Sequence, residues 1–313
     1  MDFLVISLLN GVIYGLLLFM VSAGLTLIFG MMGVLNFAHA SFYMLGAYFG
    51  YAISRITGFW PAIILSPLLV AALGAFVERF MLRTVHRHGH AHELLLTFGL
   101  FFVFEELVKL FFGFYPVSYA VPQELSFTAF NIFGLDYPFY RLFIGLVAVA
   151  MFTAIYLLLK FTRAGLIVRA AVYRPQMVEG LGHNVPLVFL GVFALGAAMA
   201  GLAGAIAGTF YPTSPTMAQE LGIIVFVVVV VGGLGSVEGA LVASLLIGIF
   251  SSFAVGLDWT LAQVLYPVGL QGWAEAVGGI LTVKLSTVAG AVPYFIMLLV
   301  LLLRPAGLLG ERV

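Results

Sequence analysis

The stretch FLVISLLNGVIYGLLLFMVSAGLTLIFG, residues 3–30, decides the fold class. It carries no acidic, basic or histidine side chain. A helix needs about 20 mainly apolar residues to cross a bilayer core. This run is longer, so its helix must either tilt or break near Asn10-Gly11. The opening Met1-Asp2-Phe3 lacks a basic n-region, and no small-residue cleavage site closes a short apolar stretch. The first segment is therefore expected to be retained rather than removed as a signal.

Working outward, the whole chain has the same character. Of its 313 residues, 63% are hydrophobic and 8% are charged, against about 25% charged in soluble domains. So few charges cannot cover a water-exposed surface. The fold class is all-α, a polytopic membrane protein with a single transmembrane domain over residues 1–313. Candidate spans are 3–30, 41–56, 60–80, 93–112, 139–159, 186–210, 221–231, 238–256 and 292–303. Eight to nine transmembrane helices are expected, with broken or re-entrant Gly-rich segments among them. A net charge of zero points to no nucleic-acid partner. The absence of cysteine excludes disulfides, thiol catalysis and cysteine metal sites.

Basic residues orient the chain. Arg79, Arg83 and Arg87 share one loop, Lys160, Arg163, Arg169 and Arg174 another, and Arg304 and Arg312 lie in the closing stretch. Arg55, Lys109, Arg141 and Lys284 fall on or near the opposite side. Clustered basic loops mark the cytoplasmic face. The aromatic and turn-rich stretch 114–138 is then external, along the outer interface. The loop 160–185 stands out because Glu179 is its only acid. Charge placement alone would account for a basic loop on this side. A helix-forming basic insert also suits contact with a cytoplasmic partner.

Two stretches do not read as plain spans. One runs through Gly24, Gly30 and Gly33 to Asn36, His39 and Ser41. The other is Val231-Gly232-Gly233-Leu234-Gly235-Ser236-Val237-Glu238-Gly239-Ala240. Backbone freed by a helix break must be buried in protein or line a wet cavity. Paired broken segments in the two halves of a chain point to a transport path at the midplane. Asn36, His39, Ser41, Gly232, Gly233, Gly235 and Ser236 are the candidate path residues. In contrast, Gly196, Gly201, Gly204 and Gly208, with Ala197, Ala200 and Ala207, read as a small-residue packing face.

Other polar groups read as structural. Glu105 and Lys109 stand at i,i+4 in the favourable order, with Glu106 beside them. His86, His88, His90 and His92 form a solvated basic turn without carboxylate or thiolate support for a metal. No P-loop, H-E-x-x-H or G-x-S-x-G motif is present, so no ATP site and no enzyme is expected in this chain.

Residues 24–29 with Leu35-Asn36-Phe37-Ala38-His39, residues 163–185, residues 232–240 and the closing Arg304-Pro305-Ala306-Gly307-Leu308-Leu309-Gly310 occur in one order over nearly the whole chain. Together they resemble the branched-chain amino acid ABC importer permeases, and the H-type membrane subunit more than its M-type sister. The resemblance implies a subunit of a bacterial inner (cytoplasmic) membrane importer. Its partners would be a second permease chain of the sister M-type, two cytoplasmic ATPases carrying ATP and Mg, and a periplasmic solute-binding protein, all in the lipid bilayer setting. No cofactor is implied in this chain. A cytoplasmic helix docking on the ATPase would map onto 169–182, making Arg169, Tyr173, Arg174, Glu179 and Gly182 the coupling residues. Arg174-Pro175 and Glu179-Gly180 depart from the family pattern, as does an external insert at 257–291. Branched-chain or other hydrophobic amino acids, amides, urea or aromatic acids are all open as solutes. An ion-coupled secondary transporter or channel, and a sugar-type ABC permease, are the alternatives.

Overall fold

The computed structural model describes residues 2–310 apart from Val34, Phe133, Asp258 and Leu265, so Arg312 and Asp258 lie outside the described residues. The chain is helical almost throughout. Its main helices are α1 (Asp2–Met32), α2 (His39–Thr57), α3 (Phe59–Val77), α4 (His90–Phe112), α5 (Phe139–Phe161), α6 (Arg163–Tyr173), α7 (Pro175–Gly180), α8 (Val185–Ala207), α9 (Met217–Gly232), α10 (Val237–Gly256) and α11 (Val292–Leu303). The end of the bundle that carries Arg83, Lys160 and Arg304 is called inner here, the other outer.

Among the described residues, six helical stretches are long and apolar enough to cross a membrane: Phe3–Met32, Phe59–Val85, Phe139–Phe161, Val185–Ala207, Val237–Gly256 and Leu285–Leu303. The nine expected segments all appear as helices. However, α9 is short, at 16 residues, and α2 and α4 carry more polar side chains. A count of eight to nine spans therefore does not follow from length and apolarity alone.

The first helix is unbroken. Its 31 residues would extend about 46 Å at 1.5 Å per residue, well beyond the roughly 30 Å core, and the expected break near Asn10-Gly11 is absent. Asn10-Gly11 is not a break but part of a packing surface. A Cβ on Gly11 would lie 2.6 Å from Ile249 Cα, and one on Gly15 2.8 Å from Leu245 Cα. These glycines let α1 and α10 meet backbone to backbone, the way helices associate where lipid removes the hydrophobic drive.

The small-residue face of α8 behaves as the sequence indicates. A Cβ on Gly46 would lie 2.5 Å from Gly201 Cα, one on Gly201 2.8 Å from Val70 Cβ, and one on Gly196 2.8 Å from the Gly24 carbonyl oxygen. Helix α8 thus sits against α1, α2 and α3 at once. Polar bonds between helices add to this packing. Ser66 Oγ donates to the Gly46 carbonyl at 2.6 Å, and Tyr140 Oη to that of Ile206 at 2.8 Å.

Two strands depart from an all-helical chain. Thr128–Ile132 (β1) and Leu135–Pro138 (β2) pair antiparallel in the outer loop. The Phe130 and Tyr137 rings stack across the pair at 5.2 Å, a cross-strand contact that stabilises an isolated hairpin. The insert 257–291 folds as short helical turns, including Gln271–Val277 and Leu285–Ala291.

Candidate functional site

The site begins where the chain turns back into the bundle. His39, the first residue of α2, donates from Nε2 to the Val21 carbonyl at 2.9 Å. Val21 lies eleven residues before the end of α1 at Met32, about 16 Å along the axis at 1.5 Å per residue. Residues 33–38 must climb that distance, so this is a re-entrant segment. Gly33 starts it with φ 66, a left-handed conformation that glycine adopts without a Cβ penalty.

The re-entrant segment floors a cavity of about 380 Å³ enclosed with α4 and α9. Its walls are aromatic and aliphatic, chiefly Phe98, Phe102, Ile223 and Phe226. Asn36 and His39 are its deep polar groups and Gln219 its outer one. Asn36 is 3% exposed, and neither Oδ1 nor Nδ2 has a hydrogen-bond partner; His39 Nδ1 is buried without one as well. An unmatched buried amide costs on the order of 1–3 kcal/mol.

Gln219 links the cavity to charge. Its Nε2 donates to Glu105 Oε2 at 2.8 Å. Lys109 Nζ lies 2.8 Å from Glu105 Oε1 and 2.8 Å from Glu106 Oε1. The expected Glu105–Lys109 pair is present and is joined by Glu106. Glu105 is buried whereas Glu106 is exposed. Sequence spacing shows the pair but not Gln219, which reaches it from a helix more than 100 positions away.

The candidate path residues do not form one group. Asn36 and His39 line the cavity, and Ser41 is buried in the same first turn with its Oγ unpartnered. Gly232, Gly233, Gly235 and Ser236 do not line it among the described residues. They form the inner corner between α9 and α10. Ser236 Oγ caps α10 by accepting from Gly239 N at 3.0 Å. The tail then clamps the corner: Leu308 N donates to the Val231 carbonyl at 2.8 Å and Leu309 N to that of Gly232 at 3.0 Å. Gly235, with φ 87, meets Gly30 at the end of α1. The two glycine-broken segments therefore touch at the inner end, but only the first opens onto space.

The basic loop forms α6 and α7, joined by an extended Arg174 with Pro175 opening the second helix. Thr162 Oγ1 caps α6 by accepting from Gly165 N at 3.1 Å. Val168, Ala171 and Val178 turn inward, while Arg169, Tyr173, Arg174, Glu179 and Gly182 are all exposed. Leu166, Met177 and Leu181 are exposed with them. An apolar patch among charges at the end of a membrane bundle is suited to a protein partner.

The His-rich turn is solvated as expected, with His86, His88, His90 and His92 all exposed, but it does not lack a carboxylate. Glu93 is 1% exposed and supplies the missing carboxylate: it pairs with His86 and, at 3.2 Å, with His90 Nδ1. The i,i+3 spacing of His90 and Glu93 was the available signal. Among the described residues, no group of three or more potential metal ligands forms.

Comparison with known proteins was made on this basis. A family model described as "Branched-chain amino acid transport system / permease component" matches residues 7–302. The chain is 28% identical to the high-affinity branched-chain amino acid transport system permease protein LivH of Salmonella typhimurium, over 96% of this chain and 94% of that protein. It is 27% identical to LivH of Escherichia coli strain K12, with the same coverage. Against the corresponding permease protein BraD of Pseudomonas aeruginosa it is 24% identical, over 97% of this chain and 95% of that one. A solved structure of PsaBC from Streptococcus pneumoniae in complex with Fab is similar at 12% identity and a TM-score of 0.47, covering 93% of this chain and 90% of that one.

Proposed function

Because this chain belongs to the branched-chain amino acid transport system permease family, we propose that it is the membrane-spanning subunit of a bacterial inner-membrane ABC importer for branched-chain or other hydrophobic amino acids. The observation that carries the solute class is the 380 Å³ cavity. Its apolar wall suits an aliphatic side chain. Asn36, buried in its floor with an unpartnered carboxamide, would offer two donors and an acceptor to a carboxylate or amide head once the segment moves. In this reading the chain hydrolyses nothing. ATP and Mg belong to two cytoplasmic ATPase chains, a periplasmic solute-binding protein delivers the solute, and a second permease of the sister M-type completes the path.

Helices α6 and α7 take the push from the ATPase. Their charged and apolar exposed residues provide both a register and an apolar contact for docking. The described non-helical residues 35–38, of which Leu35, Asn36 and Phe37 line the cavity with His39, are the element placed to gate it.

The test is co-purification followed by transport. The chain, extracted gently from its native membrane, should bring a P-loop ATPase and a second permease with it. In the reconstituted complex, Arg169→Ala, Arg174→Ala and Glu179→Ala should uncouple ATP hydrolysis from isoleucine uptake while the subunits stay together. A chain that purifies alone and moves isoleucine on an ion gradient would replace this reading with a secondary transporter.

A further inference from the structure

A second cavity lies at the outer end of the bundle. It measures about 840 Å³, within the roughly 300–1,000 Å³ of ligand pockets. Its polar lining includes Arg141, Asn10, Ser7 and Tyr211, and its apolar lining Phe3, Ile6, Ile13, Ile224 and Val255.

Arg141 is placed unusually for an interfacial arginine. Such side chains normally reach outward to water or headgroups. Here the guanidinium is held inward, its Cζ 5.1 Å from the Phe210 ring centroid and 5.5 Å from that of Tyr137. Nη1 donates to Asn10 Oδ1, whereas Nε is buried with no partner. Among the described residues Arg141 makes no ion pair. From α10, Ser251 lines the same cavity, with its Oγ turned into the protein.

A cation without an acidic partner among the described residues, set beside an amide in a largely apolar cavity, defines the complement. We propose that this outer cavity binds an anionic amphiphile, its phosphate or carboxylate paired with Arg141 and its apolar body running inward against Ile13 and Ile224. A zwitterionic amino acid fits less well, because no carboxylate lines the cavity among the described residues to receive an ammonium group. The site is separate from the cavity at Asn36 and does not depend on the importer reading. The acidic head has two sources, an anionic phospholipid of the outer leaflet or an organic acid from solution.

The test uses the full chain in nanodiscs containing equal parts phosphatidylglycerol and phosphatidylcholine. Two readouts are taken: phosphatidylglycerol enrichment after re-extraction, by lipid mass spectrometry, and decanoate affinity by calorimetry in phosphatidylcholine alone. The wild-type chain should show enrichment, decanoate binding or both, and Arg141→Gln should weaken whichever is seen about tenfold, the size of one charge-assisted contact. Enrichment alone identifies a bilayer lipid, and decanoate binding alone identifies a water-borne acid. Should Arg141→Gln fail to fold, Arg141→Lys retains the charge without the planar fork and should give an intermediate loss. Equal enrichment and equal decanoate affinity in wild type and variants, or neither in the wild type, would overturn the proposal and leave Arg141 as a packing residue.

Discussion

Segments 24–41 and 231–240 look alike as text: glycines interrupt an apolar run and polar side chains follow. In the fold they are opposites. The first leaves Asn36, His39 Nδ1 and Ser41 Oγ buried and unpartnered beside a cavity. In the second, Ser236 has its capping bond, and the carbonyls of Val231 and Gly232 accept from the tail. A helix break in a membrane protein must be satisfied. One break is satisfied by the protein itself, the other leaves buried polar side chains without partners. The distinction lies in what packs against the break, and here that is the stretch 304–310, over 70 positions downstream of one segment and far from the other.

The largest effect should come from the clamped corner. Gly233 has φ 106, and a Cβ there would lie 2.6 Å from Gly310 Cα. Gly233→Val combines left-handed strain with a backbone clash and should cost about 3–5 kcal/mol. The expected readout is loss of the monodisperse peak in detergent. A stable, well-folded variant would show that the tail does not clamp this corner.

His39→Phe comes next. It deletes the bond to Val21 but fits among Phe42 and the neighbouring rings. A loss of about 1–2 kcal/mol is expected, seen as a fall of a few degrees in thermal midpoint, with reduced uptake because the re-entrant segment loses its anchor. Unchanged stability would mean that the segment is held by packing alone. Ser236→Ala should cost about 1 kcal/mol, the worth of a helix cap, and leave the solute KM unaltered. A shift in KM would bring the second segment into the path.

How much of this was legible beforehand follows from the same contrast. The helices, the packing face of α8 and the Glu105–Lys109 pair rest on local spacing, and the sequence displays local spacing directly. What stayed hidden depends on partners distant in the chain. Asn10-Gly11 read as a possible break because the packing of Gly11 against Ile249 has no local signature. The Glu93 carboxylate was overlooked in a turn judged by its histidines. Gln219, which ties the cavity to Glu105, has nothing in its own neighbourhood to mark it. Gly232, Gly233 and Gly235 were grouped with Asn36 on composition, and only the tail that clamps them separates the two.

The smallest effect on stability should come from the residue that matters most to the comparison. Replacing a buried amide that has no partner with an apolar group of similar shape is nearly neutral or stabilising. Asn36→Leu should therefore change stability by less than about 1 kcal/mol, in either direction. If the open break exists to meet a solute, the same change should lower isoleucine uptake about tenfold or more, the equivalent of one or two lost hydrogen bonds. The loss should fall on KM if Asn36 holds the solute at rest, and on turnover if it does so only as the path opens. A variant that is both stable and fully active would mean that the open break is as structural as the clamped one, its cavity merely unfilled. A variant that is stable and inactive would establish that two segments written alike are used differently, because one found its partners in the fold and the other was left without them.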